Sequence, residues 1–337
     1  MAPSNTQVRL AQRPVGLPDD STWEITTEPA PEPGPGEFTV QVGYLSLDPA
    51  MRGWLDDVRS YVPPVQIGEV MRAHAVGRVV ESRHEGFAVG QLVSGMFGAC
   101  EYAVSDGTGA MAVDESVAPP AAWLGALGFP GMTAYFGLID VGKIVAGDTV
   151  LISGAAGAVG SVAGQIAKSR GCRVIGIAGG PEKCAWLTEE LGFDAAIDYR
   201  AGSFGRALHE AAPKGIDVYF DNVGGDILNS ALAVLRRNAR VVICGAISGY
   251  NATEPPPGPS RYLSLLINRA TMAGFIIFDY ADRYPEAMAA LSGAVRDGSL
   301  VAREQVEAGG VADFGRTLNM LFDGRNTGKL VLKIADL

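Results

Sequence analysis

The sequence predicts an α/β chain in which a doubly wound parallel sheet is joined to a β-rich part. Three observations predict it. The run Val150-Leu-Ile-Ser-Gly-Ala-Ala-Gly-Ala-Val-Gly160, continued by Ser161-Val-Ala-Gly-Gln-Ile-Ala-Lys168, places an apolar strand, a glycine turn and a helix start in unbroken succession. From about Leu124 onward apolar runs alternate with helical stretches, the pattern of parallel strands joined by crossover helices. Up to about Ala122, in contrast, short β-like runs follow one another with Gly and Pro between them. At 337 residues the chain is too long for one small core and fits two domains.

Taken in order, the first β-like runs are Phe38 to Tyr44, Val76 to Glu81 and Glu101 to Val104. The alternating part then offers six strands: Thr149 to Ser153, Arg173 to Ala178, Ala195 to Tyr199, Asp217 to Asn222, Arg240 to Gly245 and Met272 to Ile277. Helices are predicted between them, over Glu182 to Leu191, Ser203 to Ala212 and Ile227 to Leu235. The proline-rich piece Glu254-Pro-Pro-Pro-Gly-Pro-Ser260 reads as a stiff loop between the fifth and sixth strands, either a plain connector or a piece that controls substrate access. From Leu300 the texture changes again, with Val301 to Val306, a short helix around Phe314 to Leu321 and a terminal β-like run Lys329 to Ile334. A terminal strand has no place in a finished doubly wound sheet, so this tail is expected to return to the β-rich part. The expected domains are therefore 1–122 with 300–337, and 123–299, with a cofactor in the cleft between them.

Composition narrows the function. With 47% hydrophobic and 19% charged residues the chain is composed to fold. A net charge of −10 argues against nucleic acid or an anionic membrane as partner, since both demand a basic face, and leaves a small molecule as the expected ligand. No apolar run reaches membrane-spanning length and the start, Met1-Ala-Pro-Ser-Asn5, lacks the order of a signal peptide, so a cytoplasmic location is expected. The cysteines Cys100, Cys172, Cys184 and Cys244 lie far apart, and the only histidines are His74, His84 and His209. Neither a metal site nor a catalytic triad is expected from so few.

The glycine turn points to a nucleotide. Gly157 lets the backbone approach a pyrophosphate, Gly160 lets the helix pack closely, and the helix N-terminus offers N–H groups and partial positive charge to the phosphates. Selectivity for the nonphosphorylated ribose calls for an Asp or Glu about 20 residues further on. Here the second strand ends Ile177-Ala-Gly-Gly180 without a carboxylate and is followed by Pro181-Glu-Lys183. Lys183 can place its ammonium on a 2′-phosphate, and Tyr199, at the end of the third strand, can donate its hydroxyl. NADPH is the expected cofactor.

Several segments resemble the zinc-independent branch of the medium-chain dehydrogenases/reductases, in the group of prostaglandin reductases, plant alkenal double-bond reductases and bacterial curcumin reductases. They are Tyr44 to Gly53, Gly68 to Met71, Gly128 to Gly137, the glycine turn, Tyr219 to Gly225, Cys244 to Asn251 and Gly274 to Phe278. The form Ser60 to Pro64 beside Gly68 to Met71 is most similar to the bacterial members. The resemblance implies a GroES-like catalytic domain and a Rossmann domain. It implies that Gly157, Ala158, Val159 and Gly160 hold the pyrophosphate of NADPH, and Lys183 and Tyr199 its 2′-phosphate. Asn222 and the run Cys244, Gly245, Ala246, Ile247 and Ser248 would line the ends of the fourth and fifth strands. Phe275, Ile276 and Ile277, with Asn326 from the tail, would surround the nicotinamide. Zinc-dependent relatives carry a cysteine in the segment that here reads Tyr44 to Asp48, and none stands there. Gly249, where the family often has Thr, and Ala50, where it often has a large residue, depart from the pattern and remove bulk.

The reaction this resemblance implies is NADPH-dependent hydride addition to the β-carbon of an α,β-unsaturated ketone or aldehyde. Positioning supplies about 7 to 11 kcal/mol in favourable cases, and a well-placed donor at the developing enolate oxygen about 3 to 4 kcal/mol. Tyr250, soon after the fifth strand, is the expected catalytic donor, its other reading being packing or a hold on the ribose. Tyr44, Asp48, Met51 and Tyr61 are expected pocket walls, Asp48 equally a turn residue before Pro49. The rival readings are an NADPH quinone oxidoreductase and a non-catalytic NADPH-binding protein. Family members are often dimers that pair through the edge of the Rossmann sheet, so a homodimer through Thr271 to Ile277 is expected.

Overall fold

In a computed structural model of the chain, which describes residues 3–337, the six apolar runs of the second part become one parallel sheet. Its strands are β1 (Thr149–Ile152), β2 (Arg173–Ala178), β3 (Ala195–Asp198), β4 (Ile216–Asp221), β5 (Leu235–Ile243) and β6 (Thr271–Gly274), in the order β3-β2-β1-β4-β5-β6. That is the order of a Rossmann sheet, and its winding reverses between β1 and β4. The β-branched and leucine runs serve it because both faces are covered: Val150, Leu151, Ile152, Val174, Ile175, Val218 and Phe220 are all buried. Between β1 and β2 the helix Ala158–Ser169 buries Val162, Ala163, Ile166 and Ala167.

Two strands differ from their predicted bounds by more than one residue. β5 begins at Leu235, where Leu235 pairs with Ile216; the register then shifts, and Asn238, in the left-handed region at φ 65°, lets pairing resume at Arg240 with Val218. The preceding helix correspondingly ends at Leu232. β6 stops at Gly274 because Phe275 leaves the sheet to pack its ring edge-on to Phe220, centroids 6.5 Å apart, and over Gly137. The helix after β2 runs Pro181–Ala185 and continues as a π turn over Trp186–Glu190.

The chain divides into two compact units, one of Gly125–Arg303, which holds this sheet, and one of Met1–Leu124 with Glu304–Leu337. The second unit is built on a seven-stranded sheet. Phe38–Ser46 is central in it, pairing antiparallel with Ala75–Ser82, with Tyr102–Ser105 and with the tail strand Lys329–Lys333, against which Glu304–Ala308 lies parallel. Its core gathers Phe38, Val40, Leu45, Met51, Phe314, Leu330 and Leu332. Into this core the tail carries a charge: the buried Lys329 Nζ donates to the Leu47 carbonyl at 2.6 Å and to Asp48 Oδ1 at 2.7 Å. Among the described residues no helix is long and apolar enough to cross a membrane.

Candidate functional site

At the C-terminal end of β1 the backbone turns through Ser153 to Gly157 and enters the helix Ala158–Ser169. Gly157 is the N-cap, in extended conformation, and no side chain caps the helix start. A Cβ on Gly157 would meet only the Gly154 carbonyl oxygen, at 3.2 Å, so the turn tolerates a side chain there; what the missing side chain leaves is room above the helix start. Gly160 is different. A Cβ there would strike the Gly154 carbonyl and lie 2.7 Å from Ala155 Cα, so this glycine is needed for the turn itself. The closest helix-packing position is Gly164, unremarked in the sequence, whose Cβ would enter the Phe193 ring.

At the ends of β2 and β3 the chain gathers cations. Gly180 adopts φ 98°, open to glycine alone in practice, and its N–H donates to Asp198 Oδ1 at 2.9 Å. The same oxygen accepts from the Arg200 N–H at 2.9 Å, so one carboxylate ties the two strand ends together; the bond from Gly180 above all holds its pKa down. Arg200 lies with its guanidinium 5.5 Å from the Tyr199 ring centre and its Nε 3.4 Å from the phenol oxygen. Lys183, half-buried, has its pKa lowered by desolvation and then by the charge of Arg200. Two cations and a phenol at neighbouring strand ends, on a chain of net charge −10, have the chemistry to receive an anion such as a phosphate dianion. The sequence pattern singles out Lys183 and Tyr199 and passes over Arg200 and Asp198, which the structure places at the same strand ends. Arg200 directly follows Tyr199, so the signal was a second basic residue at the same strand end.

The ends of β4 and β5 are locked by a residue also missed, the buried Asp221. Its Oδ1 accepts from Ser153 Oγ at 2.8 Å, Tyr219 Oη at 2.7 Å, and the N–H groups of Val223 at 3.0 Å and Gly224 at 2.9 Å. Burial and the Asp221 charge keep the Tyr219 phenol protonated, its pKa well above the ordinary value. Asn222 Nδ2 donates to the Ser153 carbonyl at 2.7 Å, so this side chain fastens β4 to the glycine turn. Cys244 and Gly245 donate their N–H groups to the Asp221 carbonyl, and Ser248 donates both its N–H and its hydroxyl to the Val223 carbonyl. The hydroxyl of Ser248 is thus used in building the wall. The Cys244 thiol is pushed up to about 12 by burial and by Asp221, and is inert. An acid ending an otherwise apolar strand was the available signal for Asp221.

Beyond Ser248, Tyr250 folds back over β5. Its hydroxyl accepts from the Ala246 N–H at 3.1 Å and would lie 3.0 Å from a Cβ on Gly245. This contact fixes the position of the phenol ring at the end of β5. Phe275 packs its ring inside the unit, and the Ile277 carbonyl accepts from Tyr284 Oη at 3.1 Å. Asn326 lies in the other unit, where its Nδ2 donates to the Gly328 carbonyl at 3.1 Å. In that unit Asp48 has a structural part, accepting from Ser46 Oγ and pairing with Lys329. Tyr61 Oη accepts from Trp54 Nε1 at 3.2 Å.

Comparison with known proteins then decides the family. Residues 6–113 match the model described as the N-terminal domain of oxidoreductase, and residues 158–293 the model described as zinc-binding dehydrogenase. The chain is 41% identical over 331 residues to the NADPH-dependent curcumin reductase of Escherichia coli, covering 97% of this chain and 96% of the relative. It belongs to the zinc-independent medium-chain dehydrogenase/reductase family. It is also 37% identical to the NADP(+)-dependent 2-alkenal reductase of Nicotiana tabacum, over 98% of each chain. Among solved structures it is similar to CurA from Vibrio vulnificus in complex with NADPH, with a TM-score of 0.93, 42% identity and coverage of 98% of this chain and 100% of that one. Despite the name of the second matching model, the described residues of this medium-chain family member contain no group of three or more His, Cys, Asp or Glu able to hold a metal ion.

Proposed function

We propose that the chain is an NADPH-dependent reductase of carbon–carbon double bonds conjugated to a ketone or aldehyde carbonyl. The observation that carries this reading is the joint presence, on one Rossmann sheet, of the uncapped glycine turn and the Lys183–Tyr199–Arg200 cluster, in a chain similar over its whole length to NADPH- and NADP(+)-dependent reductases. The residues present fit the cofactor: the room left above the Gly157 cap suits a pyrophosphate, and the acid-free end of β2 suits a 2′-phosphate. NADPH, when bound, supplies the hydride that such a reduction needs.

The protein's own groups then have distinct tasks. Gly157, Ala158, Val159 and Gly160 present backbone N–H groups to the pyrophosphate at a helix start whose partial positive charge favours it. Lys183, Arg200 and Tyr199 hold the 2′-phosphate, and Asp198 keeps their two strand ends in register. Asp221, through Ser153 and the amides of Val223 and Gly224, keeps the turn and the end of β4 fixed, so that little reorganisation accompanies binding. Asn222 and the run Cys244 to Ser248 form the adjoining wall, with Phe275 to Ile277 continuing it. Tyr250 donates its O–H to the substrate carbonyl oxygen as negative charge develops there. The unit Gly125–Arg303 serves as the cofactor-binding domain and the other as the catalytic domain.

The chain acts as a homodimer in this reading. β6 is the edge strand of its sheet, and the preceding helix Leu263–Asn268 exposes Leu266 and Ile267 at 74% and 66%, with its N-cap Tyr262 at 60%. Three large apolar side chains beside an open edge suit a second copy of the same edge. Steady-state turnover of an aliphatic enal, a cyclic enone, a diarylheptanoid dienone and a quinone, with NADPH or NADH and a chelator present, tests the assignment. Chelator-insensitive formation of the saturated ketone with NADPH supports it, and activity on the quinone alone overturns it.

A further inference from the structure

The proline-rich loop between β5 and β6 is seated on the turn that carries Tyr250. Gly249 immediately precedes Tyr250, and a Cβ on it would lie 3.3 Å from Pro256 Cγ and 3.8 Å from Pro256 Cβ. The ring of Pro256 therefore lies close over Gly249, in tight contact range of any side chain there. The far end of the loop is also fastened: the N–H and the hydroxyl of Ser260 both donate to Asn229 Oδ1, at 2.8 and 3.2 Å. Asn229 stands on the helix Gly225–Leu232, which starts at the turn that Asp221 holds. On the near side, the Ala252 N–H donates to the Gly249 carbonyl at 3.1 Å, and the Gly249 N–H to the Ala246 carbonyl at 2.9 Å. Prolines restrict φ, so a stretch with Pro255, Pro256, Pro257 and Pro259 resists bending between its two anchor points.

We propose that Pro256 is a positioning residue for Tyr250: its ring, seated on the side-chain-free Gly249 and held in place through the Ser260–Asn229 contact, fixes the turn that aims the phenol. The proposal rests on the reading of Tyr250 as the donor to the substrate carbonyl. The departure at Gly249 then has a different meaning from the one bulk alone suggests. The loop lies close over this position, and any side chain at 249 would press its Cβ against the Pro256 ring. A hydroxyl displaced by even a fraction of an ångström is a poorer donor to a developing charge, and misplacement by about 1 Å costs on the order of a hundredfold in rate.

A double-mutant cycle tests it, measured as kcat on a cyclic enone at saturating NADPH, with NADPH affinity and Tm recorded for every variant. Tyr250→Phe is expected to lower kcat about a hundredfold, and Pro256→Ala about tenfold with NADPH affinity and Tm unchanged. In the Tyr250→Phe background Pro256→Ala is expected to have no further effect, because a residue that acts through the phenol has nothing left to position. Asn229→Ala is expected to reproduce the loss of Pro256→Ala and Asn229→Asp, which keeps an acceptor for Ser260, to restore it. A tenfold loss that persists without the Tyr250 hydroxyl, or a Pro256→Ala enzyme with unchanged kcat, overturns the proposal alone. Unchanged kcat in Tyr250→Phe overturns the donor reading and this one with it.

Discussion

At the scale of single residues the account depends on where charge is placed. At the ends of β2 and β3, burial and then the charge of Arg200 raise the cost of the charge on Lys183. In the proposed reading a 2′-phosphate lying against both offsets that cost. Lys183→Ala and Arg200→Ala are each expected to raise the KM for NADPH about tenfold or more, as befits a charge-assisted hydrogen bond worth about 1.5 to 3 kcal/mol. The KM for NADH should stay within about twofold, since NADH offers no group for either side chain. Parallel KM series for the two cofactors check this, and an equal rise for both would remove the cluster from 2′-phosphate recognition. Lys183 was singled out in the sequence because the end of β2 lacks an acid, and Tyr199 because it follows the third strand. Arg200 and Asp198 were not singled out, since which residues after β3 turn back toward Gly180 is decided by the φ 98° backbone at that glycine and the hydrogen bond it makes.

At the scale of elements, the glycine turn separates two tasks that the sequence motif presents as one. Gly160 is demanded by packing, because its Cβ would meet backbone atoms of Gly154 and Ala155 that cannot yield; Gly157 has a single neighbour at 3.2 Å. Gly160→Ala should therefore destabilise the protein by about 1 to 3 kcal/mol. Gly157→Ala should cost under about 1 kcal/mol in stability while still weakening NADPH binding, because the methyl group enters the room above the helix start. Denaturant unfolding together with cofactor titration distinguishes them, and equal losses of stability would contradict the division. Sequence periodicity located all six parallel strands, because strands such as β1, β2 and β4, buried on both faces, are apolar runs. It misplaced the start of β5, where Arg236, Arg237 and Asn238 interrupt the apolar run between the pairing at Leu235 and its resumption at Arg240. It misplaced the end of β6 as well, because Phe275 and Ile276 continue the apolar pattern after the backbone has left the sheet. The lock around Asp221 brings together residues 68 and 69 positions apart, and no local pattern announces such a pairing.

At the scale of the whole molecule, stability against pH reports the buried charges of the β-rich unit. Burial pushes Glu304 from an ordinary 4.5 up to about 7, with Lys329 opposing, and burial pushes His74 from 6.5 down to about 4, with Asp48 opposing. The raised carboxyl gives stability that is full below pH 4.5 and is lost as pH rises to 7. The lowered imidazole gives stability that is lost as pH falls from 6.5 to 4. The two slopes oppose each other between about pH 4.5 and 6.5. Glu304→Gln removes the first alone, so relative to the parent its stability should climb by on the order of 2 to 3 kcal/mol from pH 4.5 to 7. Unfolding curves at a series of pH values check this, and parallel profiles for the two proteins would contradict it. For assembly, Leu266→Glu at the exposed helix beside β6 is expected to yield monomers in sedimentation equilibrium, and a variant of unchanged mass would place the contact elsewhere.

The central claim is a hydride delivered to the β-carbon of a conjugated enone, and isotope transfer tests it most directly. Turnover of a cyclic enone with NADPH carrying deuterium at the transferred position of its nicotinamide, in the presence of a chelator, is analysed by NMR and mass spectrometry of the product. The account predicts a saturated ketone with one deuterium on the β-carbon and none on the α-carbon. Deuterium on a carbinol carbon, which marks reduction of the carbonyl itself, or a saturated ketone without label would contradict it.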